Sequence, residues 1–236
     1  MRLLEVLVAE RAPQTLKSLS ESAQMTASTA HRYLVSLGRA RMVQQDPANG
    51  KYELSTFALR LGLAALGRAN DIEIANRHLQ EVVLRHNIDG HISVWGDFGP
   101  TIVRIQSASG PLLTNLRLGA VLPLLTSATG RTFLTYMPDA MLEPVLTRET
   151  NRHGPLSAAA RAAVIEQTKS QGAATADNQL VAGMRSIAVP VFDMQHSLRA
   201  VIALVGPSPS LIEFPNPVAS DLILAGRRAS QDLGST

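Results

Sequence analysis

The sequence predicts an α+β chain: an N-terminal winged helix-turn-helix, a linker helix and a C-terminal domain built on an antiparallel sheet. Three observations carry this. Apolar residues recur at helical spacing three times before residue 40, two short β-prone runs then flank a turn-rich pentapeptide, and two further pairs of such runs alternate with helices after residue 70. The divisions fall at 1–54, 55–70 and 71–236.

Leu3, Leu4, Val6, Leu7 and Val8 share a helical spacing that Pro13 closes, so residues 2–11 read as a first helix. Thr15 offers an N-cap to a second, Leu16 to Ser22, with Leu16, Leu19 and Ala23 on one face. Gln24-Met25-Thr26 leaves room only for a turn before a third helix, Thr26 to Gly38. Its apolar residues Ala30, Tyr33, Leu34 and Leu37 fall at i, i+3, i+4 and i+7. Met42–Gln45 can pair with Lys51–Leu54 across Asp46-Pro47-Ala48-Asn49-Gly50, which makes a two-stranded wing. Ser55 to Arg68, with Phe57, Leu59, Leu61, Leu63 and Leu66, reads as an amphipathic linker helix too apolar to stand alone in water, hence a dimerising one.

Beyond it, 71–88 reads as a helix with Ile72, Ile74, Ala75, Leu79, Val82 and Val83 as its stripe. His91–Trp95 and Thr101–Ile105 flank a Gly96–Pro100 turn, and Ser186–Phe192 and Leu198–Val205 flank another. Helices at Gly130–Met137, Ala140–Leu146, Ser157–Ser170 and Pro217–Leu233 complete the pattern, read as an antiparallel sheet with helices on one side.

Charge separates the parts. Residues 1–70 hold nine Lys/Arg against five Asp/Glu, a net of +4, and residues 71–236 hold thirteen against fourteen, a net of −1. The first part therefore suits a polyanion. In a helix-turn-helix the second helix of the pair enters the major groove N-terminus first. Ala27, Ser28, Thr29, His31 and Arg32 at that end are candidates for base edges and phosphates, Thr15, Lys17 and Arg39 for phosphates, and Lys51 and Tyr52 for backbone or minor groove beside the wing. A two-fold dimer would present two such helices to palindromic double-stranded DNA.

Enzyme chemistry finds little footing. There are no cysteines, and the six histidines show no metal-ligand spacing. Gly-x-Ser-x-Gly, Gly-x-x-x-x-Gly-Lys and Gly-x-Gly-x-x-Gly are absent, which leaves His91, Asp97 and Ser107 as a remote triad. No cofactor or metal is expected. Met1 to Leu7 interrupts its apolar run with Glu5, unlike a signal peptide, and no run is long enough to span a membrane, so a cytoplasmic location is expected. The competing binding function is a ligand sensor that meets no DNA.

In the second part, Leu125 to Gly130 runs from hydroxyl residues into a helix whose N-terminal N–H groups could hold a carboxylate, ordinary capping by Thr126 or Ser127 being the alternative. Trp95 is a candidate for stacking on a ligand and Arg104 for pairing its charge.

Leu16–Ser20, Ser28–Leu34, Asp46-Pro47 and Gly50–Leu54, together with Arg117-Leu118-Gly119, Leu122 to Gly130, and Gly172 through Ile187–Asp193 to Ala203–Pro207, resemble the IclR family of bacterial transcription regulators over nearly the whole chain. The resemblance implies a homodimer, often paired into a tetramer, whose GAF/PAS-like C-terminal domain binds a small organic acid and alters DNA binding at catabolic operons. It places Leu122, Ala128, Thr129, Ala176, Met184, Ser186 and Ala203 around the effector. Ala176 stands where the family commonly has Asp, Ser186 where it has Cys, Gln179 for Glu and Leu125 for His. The pocket is thereby less acidic, and an organic acid with a substantial apolar or aromatic part is expected.

Overall fold

The computed structural model describes residues 2–10, 12–67, 70–108, 117–153 and 157–235. They fall into two compact units, Met1–Arg68 and Ala69–Thr236. The expected end of the linker helix at 68–70 includes residues 68 and 69, which lie outside the described residues.

In the first unit, α1 (Arg2–Ala9), α2 (Leu16–Ser22) and α3 (Ala27–Arg39) precede a ribbon of β1 (Val43–Gln45) and β2 (Tyr52–Leu54), and α4 (Thr56–Gly67) follows. Leu3, Leu7, Leu19, Ala23, Ala30, Leu34, Val43 and Tyr52 form its core. Thr15 caps α2 through Ser18 N and Thr26 caps α3 through Thr29 N, so each helix begins where a side-chain oxygen satisfies a free N–H. Gln24, in the turn between them, takes a left-handed φ of 55°. Gln14 bridges Tyr52 through both backbone bonds, which gives the ribbon a third, minimal strand that the sequence did not announce. Ser55 donates to Arg41 O and caps α4 at Phe57 N and Ala58 N.

The second unit opens with α5 (Asn70–His86) and a hairpin of β3 (Asp89–Gly96) and β4 (Gly99–Gln106). Then come α6 (Ala128–Tyr136), α7 (Asp139–His153), α8 (Ala158–Gln171), β5 (Ala174–Asp177), β6 (Arg185–Phe192), β7 (Leu198–Gly206) and α9 (Pro217–Asp232). The strands form one antiparallel sheet in the order β4-β3-β7-β6-β5. Helices cover both faces, contrary to the one-sided arrangement expected. Ile92, Ile187, Val189, Ile202 and Leu204 pack with α5 and α9, while Ala188, Val201 and Ala203 pack with Ala128, Phe133 and Leu134 of α6 on the other face. The reason is in β7: Ala200 to Leu204 is apolar without alternation and is fully buried on both sides.

Candidate functional site

Ala27, Ser28, His31, Arg32 and Arg39 are exposed on α3, and Thr29 is half-buried with its hydroxyl 2.9 Å from that of Thr26. Tyr33 is 57% exposed, so it joins this outward face and leaves the core, contrary to its expected place. Among the described residues, the side chains of Lys17, Arg32, Arg39 and Lys51 make no ion pair or hydrogen bond. Free cations on a unit of net positive charge are what a phosphate backbone requires.

Thr15 and Lys17 stand exposed at the start of α2, with the Thr15 hydroxyl occupied in capping. The wing turn is self-satisfied: Asp46 accepts from Ala48 N and Asn49, Asn49 accepts from Lys51 N, and Gly50 takes a left-handed φ of 70°. Lys51 projects beside that turn. Tyr52 does not, and here the expectation needs correcting. It is only 8% exposed and packs in the core, holding the wing to the helices.

In the second unit a cavity of about 210 Å³ opens between β5, β6, β7 and the loops at 120–126 and 179–184. Of the expected effector residues, Leu122, Ala176, Met184 and Ser186 line it. Leu180, Val181 and Val205 add apolar wall, and Thr126, Gln179 and Arg185 add polar groups. The hydroxyls of Thr126 and Ser186 have no hydrogen-bond partner among the described residues. Arg185 donates to Pro207 O and lies 3.1 Å from Asp177. The rim is stapled: Asn178 N donates to Met184 O, Gly183 N to Asn178 Oδ1, and Met184 N to Val181 O.

The other expected residues lie elsewhere. Ala128, Thr129 and Ala203 are buried in the core. Trp95 packs on Phe133 at 5.6 Å between ring centroids and does not line the cavity. Arg104 pairs with Glu73 of α5 at 3.1 Å; its register partner Ile92 belongs to the α5 face, so Arg104 points away from the cavity side. At the start of α6, Ser127 caps Gly130 N at 2.8 Å, the ordinary role weighed for this segment.

Two residues that sequence reasoning passed over hold this site. A Cβ at Gly130 would stand 2.0 Å from Pro123 O and 2.5 Å from Leu124 Cα, so only glycine lets α6 seat beneath that loop. Arg131 donates to Leu125 O, Thr175 O and Gln179 Oε1, which ties α6 to the loop, to β5 and to the rim; burial pushes its pKa down. His91 is fully buried, with Nε2 3.0 Å from Thr129 Oγ1 and its pKa lowered by burial to about 4. Its Nδ1 and the Ser93 hydroxyl are buried without partners. The alternation His91-Ile92-Ser93 looks half-solvated in sequence, yet both sides of β3 are covered.

A helix-turn-helix unit with unpaired cations, followed in one chain by a sheet domain that holds a cavity, defines the class of helix-turn-helix transcription regulators. Residues 1–47 match the IclR helix-turn-helix domain, and residues 63–230 match the C-terminal domain of bacterial transcriptional regulators of the IclR type. The chain belongs to the IclR family, whose members are transcription regulators and not enzymes. It is 31% identical over 191 residues to the DNA-binding transcriptional repressor YiaJ of Escherichia coli, an alignment that covers 76% of this chain and 66% of YiaJ. The crystal structure of Pseudomonas aeruginosa HmgR matches with 30% identity and a TM-score of 0.77, over 98% of this chain and 95% of that one. An IclR homolog from Microbacterium hydrocarbonoxydans, crystallised with 4-hydroxybenzoate, matches in fold with a TM-score of 0.78 at 22% identity, over 100% and 97% of the two chains.

Proposed function

We propose that the chain is a ligand-responsive regulator that grips a palindromic operator as a homodimer, or as a dimer of dimers, and answers to a small organic acid with an apolar or aromatic body. The observation that carries the ligand class is the cavity wall. Ala176, Leu180, Val181 and Met184 supply apolar surface, while the free hydroxyls of Thr126 and Ser186 and the Arg185 guanidinium supply a polar end. The 4-hydroxybenzoate held by the Microbacterium homolog is a ligand of that class. On this reading Leu122 and Val205 close the apolar side, and the operon controlled is catabolic.

For DNA, Ser28, His31, Arg32 and Tyr33 face the bases while Lys17, Arg39 and Lys51 hold phosphates. Leu59, Leu61 and Leu63 are 61%, 50% and 58% exposed on α4, an apolar surface that a second copy would cover. Such a regulator works in the cytoplasm, where its DNA is.

Fluorescence anisotropy on a duplex selected from random sequence tests the two assignments together. Arg32→Ala is expected to weaken binding by about 1–3 kcal/mol and leave 4-hydroxybenzoate binding intact. Ser186→Leu is expected to abolish 4-hydroxybenzoate binding and leave DNA affinity intact. The reverse pattern overturns both.

A further inference from the structure

β5 pairs with β6 only from Arg185 to Ala188, so among the described residues the outer edge of β6 from Val189 to Phe192 has no strand beside it. Pro190 lies in this stretch and has no N–H to offer a further strand. α9 sits hard against the same stretch, because a Cβ at Gly226 would meet Val189 Cγ2 at 2.8 Å and Pro190 O at 3.0 Å. Between this edge, α9 and the end of α6 lies a cleft of about 420 Å³, a size that suits a small organic molecule.

Its lining is chemically specific. Ile223, Arg227 and Gln231 recur every four residues along one face of α9 and all three line the cleft. Tyr136 and Phe192 form an edge-to-face pair at 5.2 Å on the other side. The Arg227 guanidinium, the Gln231 amide and the Tyr136 hydroxyl have no hydrogen-bond or ionic partner among the described residues. His196 adds an imidazole, and among the described residues no carboxylate lines the cleft. A cation with no counter-charge among the described residues, beside two aromatic rings, is the complement of an aromatic anion.

We propose that this cleft is a second small-molecule site, separate from the 210 Å³ cavity, that takes an aromatic monocarboxylate. The ring lies against Tyr136, Phe192 and Ile223, and the carboxylate is held by Arg227 with Gln231 beside it. The two sites share no lining residue, so they can fill independently.

Benzoate titrated into the full chain tests this, with the Ile223 and Met184 methyl resonances followed by NMR as separate reporters of the two sites. A saturable shift of Ile223 is expected. Arg227→Ala is expected to raise the dissociation constant read at Ile223 about tenfold without changing the response of Met184. Ser186→Leu is expected to leave the Ile223 response in place. The proposal is overturned if Ile223 fails to shift, shifts without saturating, or gives the same dissociation constant in the Arg227→Ala protein. It is also overturned if Ser186→Leu removes the Ile223 response.

Discussion

Replacing His91 by Gln is expected to protect the second unit against acid. In the folded chain burial holds this imidazole at a pKa of about 4, whereas in the unfolded chain it returns to 6.5. The unfolded state therefore binds the proton more readily. Stability is undiminished well above pH 6.5, declines as pH falls through the interval, and is fully forfeited below pH 4. A gap from 6.5 to about 4 corresponds to about 3 kcal/mol. Carboxylates titrate over the same range, so the informative quantity is the difference between wild type and His91→Gln, whose amide can still bond Thr129. Urea unfolding followed by fluorescence suits the measurement, because the sole tryptophan, Trp95, packs on Phe133 within the same unit. Wild type should lose about 3 kcal/mol more than the variant between pH 7 and pH 4. Equal losses would refute the assignment of a buried neutral imidazole.

Gly130→Ala should destabilise the second unit by more than about 3 kcal/mol, since the new methyl must displace the Pro123–Leu124 backbone; an unchanged melting temperature would show that the loop yields freely. At the wing the two neighbours should separate. Lys51→Ala is expected to lower the salt dependence of DNA binding by about one unit of log-log slope, while Tyr52→Phe leaves it unchanged. A Tyr52→Phe protein that loses DNA affinity but not thermal stability would return Tyr52 to the interface.

How far the sequence could be read depended on how much of the neighbourhood was local. The α2 and α3 boundaries, the wing and the two large hairpins follow from caps, turn residues and periodicity, all of which act within a few residues. The two tyrosines exchanged places. Tyr33 fits the helical stripe by count but is amphipathic enough to lie outward, and Tyr52 beside a polar turn is drawn inward by the bridge to Gln14. β5 went unread because Ala174 to Asp177 has one β-branched residue and is a strand only by virtue of β6. Leu122, Ala176, Met184 and Ser186, grouped through family resemblance, do line one cavity. Trp95 shares the α6 side of the sheet with the cavity but is taken up by Phe133, whereas Arg104 was misplaced because facing direction along β4 depends on the bulge opposite Ile92 and Ser93, which no pattern in the chain marks.

The stapled rim from Asn178 to Met184 bears on selectivity. Its hydrogen bonds and the Arg131–Gln179 link already hold the mouth of the cavity together, so if the cavity takes the effector as proposed, little chain entropy remains to be lost on entry. Such an aperture sorts molecules by outline. Isomers that differ only in where a ring substituent projects would be told apart by the fixed edge they must pass, and an oversized homologue would meet a wall that is already held in place.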